Sequence, residues 1–207
     1  MSVAAAAEAP APSPRADRSW FDRPAAALAR ELLGARLFHD SPDGLAGGRI
    51  VEVEAYEGPE DLAAHSSRAV TARTATMFGG PGFLYVYLVY GLHHCINVVS
   101  GPGVKPEAVL IRAMDIETGS DLARARRGPR ATERALAAGP GNVGRALGID
   151  RTLDGCDLLA GPVRVEPRTD PAPDVRVGRR IGVDYAGAWA ERPLRFWIAD
   201  DPHVSRG

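Results

Sequence analysis

Phe83-Leu84-Tyr85-Val86-Tyr87-Leu88-Val89-Tyr90-Gly91 is the stretch on which the fold turns. Aromatic and β-branched residues crowd it, so it reads as a strand over residues 83–90. Residues 91–94 punctuate it, and residues 95–100 run back as a second strand. Outward from this pair, strands are expected over 35–39, 48–56 and 108–114, with a turn over 41–44 and a polar, irregular segment over 57–72. Helical spacing predicts a helix over 19–33 with Gly34 at its C-cap, others over 118–127 and 131–138, and a short one after Gly139-Pro140-Gly141. Apolar segments follow near 163–165, 177–183 and 194–199. There is no βαβ rhythm and no internal repeat, so the order predicts an α+β fold: a single compact mixed domain with an antiparallel-rich sheet. Residues 1–17 are Ala- and Pro-rich with few bulky apolar side chains, which predicts a disordered tail ahead of a domain over 18–207.

Composition excludes more than it selects. At 207 residues, 45% hydrophobic and 25% charged, the chain suits one soluble core. No apolar run approaches the ~20 residues of a membrane helix. No basic start leads into an apolar stretch, so no secretory signal is visible. Cys95 and Cys156 are too few for a disulfide framework, and a reduced cytoplasm is the expected compartment. The net charge of -1 speaks against a generally basic nucleic-acid binder. From Arg112 to Arg151, however, eight arginines face five acids, an excess compatible with a phosphate-facing surface.

Strand 50–56 (Ile50-Val51-Glu52-Val53-Glu54-Ala55-Tyr56) carries the first chemistry. Alternation sends Glu52, Glu54 and Tyr56 to one face, either a solvated outer face or an acidic catalytic group beside an aromatic. Two such carboxylates lie roughly 7 Å apart, as in inverting glycosidases. Both would approach a sugar from one side, which disfavours a carbohydrase. His65 falls in a loop after a Gly-Pro-Glu-Asp turn, where binding residues concentrate. Three of the five tyrosines lie in the opening stretch, with Tyr85 and Tyr87 sharing a face and Tyr90 opposed near the tip. They suit either a buried strand with bordering tyrosines, or a base-stacking platform with a wedge at the hairpin tip. His93-His94-Cys95 cannot converge on one tetrahedral ion and has no partner pair at zinc spacing, so no metal site is assigned. The glycine turns match neither a P-loop nor a dinucleotide fingerprint.

Taken in order, several blocks together resemble the alkyladenine (3-methyladenine) DNA glycosylase family. They are strand 50–56, Gly58-Pro59-Glu60-Asp61, Ala64-His65-Ser66, Met77-Phe78, Leu84-Tyr85-Val86-Tyr87 and Tyr90-Gly91. Cys95-Ile96-Asn97-Val98, Val109-Leu110-Ile111-Arg112-Ala113, Gly139-Pro140-Gly141, Ala146-Leu147-Gly148-Ile149, Arg180-Ile181-Gly182-Val183 and Pro193-Leu194-Arg195-Phe196 complete the set. The match runs from about residue 25 to 205.

The resemblance implies a domain with a β-hairpin projecting into the DNA minor groove. By position, Glu54 matches the general base that activates water, Arg112 the arginine orienting that water, and the Ile181 carbonyl a third water ligand. Tyr56, His65 and Tyr87 match the pocket that sandwiches a flipped base, Asn97 the residue that rejects guanine's amine, and Tyr90 the intercalating wedge. Neither metal nor organic cofactor is implied. The partner is double-stranded DNA with damaged purines, met by a monomer without a membrane. A carboxylate beside the sugar would stabilise oxocarbenium character and water would capture it. Glu52 is expected to raise the proton affinity of Glu54 by like-charge repulsion, with Arg112 opposing. Lys105, the only lysine, lies in a Pro-flanked loop, so a Schiff-base lyase is not expected. Asn142 stands where the family more usually has lysine, and Arg145 could replace a lost phosphate contact. Two other readings stay open: a non-catalytic binder of distorted DNA on the same fold, and an acyl-transfer enzyme on a similar scaffold, for which no cofactor motif is present.

Overall fold

A computed structural model describes residues 15–68, 70–102 and 105–205. Its centre is β2 (Gly44–Tyr56), long enough to serve several partners. The first half of β2 pairs with β1 (Arg36–Ser41), and Glu52 to Glu54 pair with β9 (Arg195–Ile198). Its other edge pairs along its length with β5 (Glu107–Thr118). β3 (Leu84–Val89) and β4 (His93–Ser100) extend the sheet beyond β5 as a hairpin. β7 (Val163–Glu166) flanks β1, β8 (Val175–Gly178) flanks β9, and β6 (Ala137–Ala138) adds to β5. All these pairings are antiparallel, so the expected α+β architecture holds.

Local chemistry explains where helices form. The expected helix over 19–33 is in fact two, α1 (Arg18–Phe21) and α2 (Ala25–Leu32). Pro24 separates them: it lacks an N–H and sits at φ −54, ψ 142, outside helical geometry. Leu28 and Leu32 of α2 are buried in the core with Ile50, Val53 and Ile111 of the strands that α2 covers. Truncating one such leucine to alanine costs about 2–5 kcal/mol. α3 (Ser120–Arg127) starts two residues later than expected, because Gly119 turns the chain at φ 69 after β5 ends at Thr118. The helix expected over 131–138 is absent. A short 3-10 turn, Glu133–Ala135, precedes β6, whose two alanines pair with Ala113 and Met114. Alanine's helical preference yields here to tertiary pairing with an open edge of β5. α4 (Pro140–Leu147) begins with Pro140 in its first turn, earlier than the expected start after Gly141.

Residues 1–14 of the Ala/Pro-rich tail lie outside the described residues. The next three make contacts: the Ala16 N–H donates to the Val165 carbonyl at 3.0 Å, and the Asp17 carboxylate caps α1 through the Trp20 N–H at 2.9 Å. Association with the domain thus starts before residue 18. The glycine pair Gly47-Gly48 is required by close approach, since a Cβ on Gly48 would stand 2.0 Å from the Asp115 carbonyl oxygen. The β3–β4 turn needs φ > 0 at both Tyr90 (51) and Gly91 (68), and the Leu92 N–H closes it onto the Val89 carbonyl at 3.1 Å.

Candidate active site

One transverse row of the sheet gathers the site. Tyr85 pairs with Asn97, Asn97 with Leu110, Leu110 with Glu54, and Glu54 with Arg195. Directly opposed residues share a face, so register alone assembles groups from five strands. One step away in the same alternation lie the pairs Tyr87–Cys95 and Tyr56–Ala108. Above this face opens a cavity of about 510 Å³, within the range of small-ligand sites. Glu54, Arg112, Ile181, Tyr56, His65, Tyr87, Asn97 and Tyr90 all line it. Arg145 does not: it is exposed on α4, and its Nε donates to the Arg126 carbonyl near the end of α3 at 2.7 Å.

Glu54 is fully buried at 0% exposure, which overturns the solvated-face alternative for strand 50–56. Two hydrogen-bond donors and an ion pair hold its carboxylate. The Ile181 N–H donates to Oε1 at 2.8 Å, Arg112 Nη1 lies 3.2 Å from Oε1, and the Tyr56 hydroxyl donates to Oε2 at 3.0 Å. Burial pushes the Glu54 carboxyl above its ordinary range, against the lowering pull of Arg112, the Ile181 N–H and Tyr56. Glu52 raises it too and Arg112 opposes, as expected, but the like-charge contribution is the smaller one: desolvation leads. The Ile181 N–H is a carboxylate donor that the sequence did not suggest.

Arg112 owes its aim to an irregular ladder. Val53 faces Ile111 and Glu52 faces Ala113, which leaves Arg112 as an extra, unpaired residue on β5. Such a bulge re-aims a side chain. The guanidinium splits between two carboxylates, Nε to Glu52 Oε1 at 2.8 Å and Nη1 to Glu54. Burial opposes its charge, but Glu54 and Glu52 outweigh it and hold the group above its ordinary value.

The walls are aromatic. The His65 ring meets the Tyr87 ring edge-on, centroids 4.5 Å apart, and its Nδ1 shares a hydrogen bond with the Tyr85 hydroxyl at 2.9 Å. Burial, helped by Arg73 and Arg68, pushes His65 down to about 4, so its ring is neutral at physiological pH. Burial likewise pushes the Tyr85 phenol up to about 12 and the Cys95 thiol to about 11, so both stay protonated. Asn97 is buried with its Nδ2 donating to the Tyr85 carbonyl at 3.1 Å, which fixes the amide's orientation. At the mouth, Tyr90 is 92% exposed. Asn142 turns inward, its Nδ2 donating to the Ala138 carbonyl at 2.6 Å.

A second buried pair braces the far wall. Arg180 grips Asp61 at 2.5 and 2.9 Å, donates to the Ala55 carbonyl at 3.0 Å, and stacks over the Tyr56 ring at 4.7 Å. It sits next to Ile181, so one guanidinium ties the Tyr56 ring to the Glu54 donor. Asp61 and Arg180 lie within the blocks that carry the family resemblance, but no role is expected of them from sequence. The spacing of two charged residues 119 apart carries no signal that they meet.

An acid on a polar floor beneath aromatic walls suits attack by water on a bond next to an aromatic heterocycle. The chain matches the sequence model of methylpurine-DNA glycosylase (MPG) over residues 19–202. It is 46% identical over 192 residues to a Streptomyces avermitilis protein named "Putative 3-methyladenine DNA glycosylase", spanning 91% of this chain and 89% of that protein. A Myxococcus xanthus protein of the same name is 44% identical over 191 residues, spanning 91% of this chain and 92% of that one. One from Nocardia farcinica is 47% identical over 186 residues, spanning 86% and 84%. The chain belongs to the methylpurine-DNA glycosylase family; it is a DNA glycosylase, a hydrolase of N-glycosyl bonds that acts in DNA repair. No helix among the described residues is long and apolar enough to cross a membrane.

Proposed function

We propose that this glycosylase flips a damaged purine out of duplex DNA into the cavity and hydrolyses its glycosidic bond with water activated by Glu54. The observation that carries the reading is the Glu54 carboxylate, buried at the cavity floor with burial raising its proton affinity. The damaged base stacks among Tyr56, His65 and Tyr87, whose faces favour a cationic alkylated purine and tolerate several base shapes. Neutral His65 reads the base as a hydrogen-bonding partner and adds no charge. Asn97 holds its amide at the edge where guanine's exocyclic amine would enter. Tyr90 fills the gap left in the duplex. Hypoxanthine, ethenoadenine, 3-methyladenine and 7-methylguanine fall within this range.

In the reaction the C1′–N bond breaks with its electron pair leaving on the base, and positive charge grows on the sugar. Glu54 faces that charge. Water adds its oxygen to C1′ and passes a proton to Glu54. An alkylated purine that entered as a cation departs neutral. Arg112 and the Ile181 carbonyl complete the cradle of that water, and Arg145 supplies a phosphate contact outside the cavity. Every group invoked belongs to one chain, which supports action as a monomer. A DNA substrate supports a cytoplasmic place of action.

The test is base release from a duplex carrying one hypoxanthine or ethenoadenine, with wild type and Glu54→Gln in parallel. A glutamine keeps the local hydrogen bonds while losing the charge: Oε1 still accepts from the Ile181 N–H, and the amide donates to the Tyr56 hydroxyl. Release is expected to fall about 10²–10⁴-fold with lesion binding retained. Equal rates in both proteins would remove Glu54 from the role of base.

A further inference from the structure

Glu52 is as buried as Glu54, yet it does not face the cavity. Its carboxylate gathers three donors from three parts of the chain: Arg112 Nε at 2.8 Å and Arg195 Nε at 2.7 Å on Oε1, and the Ser205 N–H at 2.7 Å on Oε2. Arg195 also reaches the Ser205 carbonyl through Nη2 at 3.4 Å, so β9 and the segment after it close over the carboxylate together. From these contacts we infer that Glu52 is a positioning residue for Arg112, and that the C-terminal segment, through Arg195 and Ser205, holds Glu52 to that task. The inference rests on Glu54 being the general base.

Geometry makes the case. Arg112 stands at a bulge with no cross-strand partner, so the ladder does not fix its direction. A guanidinium free to turn toward a lone carboxylate takes it in a two-pronged grip. That grip would engage both Glu54 oxygens and crowd Tyr56 at Oε2. Because Glu52 engages Nε, the side-on grip that uses Nε is closed to Glu54, and Arg112 meets it through Nη1 at Oε1. The charge balance follows the same layout, two carboxylates against Arg112 and Arg195. The charged and titratable groups around Glu54 are Arg112 from β5, Glu52 and Tyr56 from β2, Arg195 opposite it on β9, Tyr87 from β3, Cys95 from β4 and Arg180 beside Ile181.

The experiment is single-turnover base release across pH with Glu52→Gln and Arg195→Gln, alongside duplex affinity and thermal melting. Losing the Glu52 charge frees Arg112 to act fully on Glu54, so the acid limb of the rate profile moves to lower pH. The rate at its plateau falls about tenfold or more, with affinity within about twofold. Losing Arg195 leaves Glu52 less neutralised, so that limb moves to higher pH with a smaller loss of rate. Displacement in opposite senses is a signature that loosened folding does not mimic, and the partly solvated Arg195 gives a second variant should Glu52→Gln not fold. If both limbs coincide with wild type while the proteins are folded, the cluster only stabilises the fold and the inference is overturned. A wild type that releases no base overturns the Glu54 reading itself.

Discussion

The cavity floor and the hairpin tip are built on opposite terms. On the floor and its far wall, the buried carboxylates of Glu52, Glu54 and Asp61 meet the guanidiniums of Arg112, Arg180 and the partly solvated Arg195. At the tip, Tyr90 takes φ 51, a left-handed geometry costing a non-glycine residue roughly 1–2 kcal/mol, and leaves its side chain in solvent. Leu92 beside it is also exposed. The floor's strain is electrostatic and is resolved inside the fold. The tip's strain brings the fold no packing in return, so its use lies with another molecule. On the proposed mechanism, the geometry needed for bond breaking is the buried part, and the surface proposed to enter a duplex is the bare one.

The sharpest way to break that contrast is Asp61→Asn. It keeps the shape and removes the charge that balances Arg180, which then stays buried without a counter-ion. Breaking such a pair costs about 3–5 kcal/mol, readable as a lowered urea midpoint at unchanged slope. Because Arg180 braces Tyr56 and stands next to Ile181, base release is expected to fall as well, even below the unfolding transition. A loss under about 1 kcal/mol would show that the pair is solvated in practice and that the floor is not over-determined.

At the tip the expectation inverts. Tyr90→Ala removes an exposed side chain, so stability should stay within about 0.5 kcal/mol of wild type. Base release from duplex should drop about tenfold or more, as the gap behind the flipped nucleotide goes unfilled. Release from a lesion in single-stranded DNA should change far less, since no stack needs to be held open. An equal drop on both substrates would move Tyr90 from wedge to pocket wall.

The two regions also differ in how far they could be read in advance. The hairpin was legible in outline, since a strand rich in Tyr and Val and a returning strand are local signals, but its turn falls at Tyr90-Gly91 and not over 91–94. Alternation in strand 50–56 placed Glu52, Glu54 and Tyr56 on one face, but not whether that face is wet. Burial there depends on β5, β9 and the loops carrying His65 and Ile181, all distant in sequence. Arg112 and Ile181 were named through family resemblance; the bulge that aims one and the N–H offered by the other are tertiary facts. Glu52 was read as a neighbour that perturbs Glu54, whereas its strong partners are Arg112, Arg195 and Ser205. Local rules failed where tertiary pairing competed with weak propensity, as at residues 131–138, and succeeded where chemistry is stiff, as at Gly34, which turns after α2 at φ 85.

The smallest effect sharpens the contrast from the wall between floor and tip. His65 is held near 4 in the fold against an ordinary 6.5. The unfolded chain therefore binds more protons between those values, and the stability that a neutral His65 contributes is full above 6.5 and is lost as pH falls toward 4. His65→Phe keeps an aromatic edge against Tyr87 and cannot take up that proton, at a cost of about 1 kcal/mol at neutral pH for the hydrogen bond to Tyr85. The melting-temperature gap between wild type and variant should then narrow, and can reverse, on going from about pH 7.5 to about pH 4.5. Glu54 runs the other way, since its raised affinity favours the fold as it takes up its proton, but it is common to both proteins and drops out of the difference. A gap constant across that range would mean that His65 titrates as freely in the fold as out of it, and that the wall around the base is wetter than the floor beneath it.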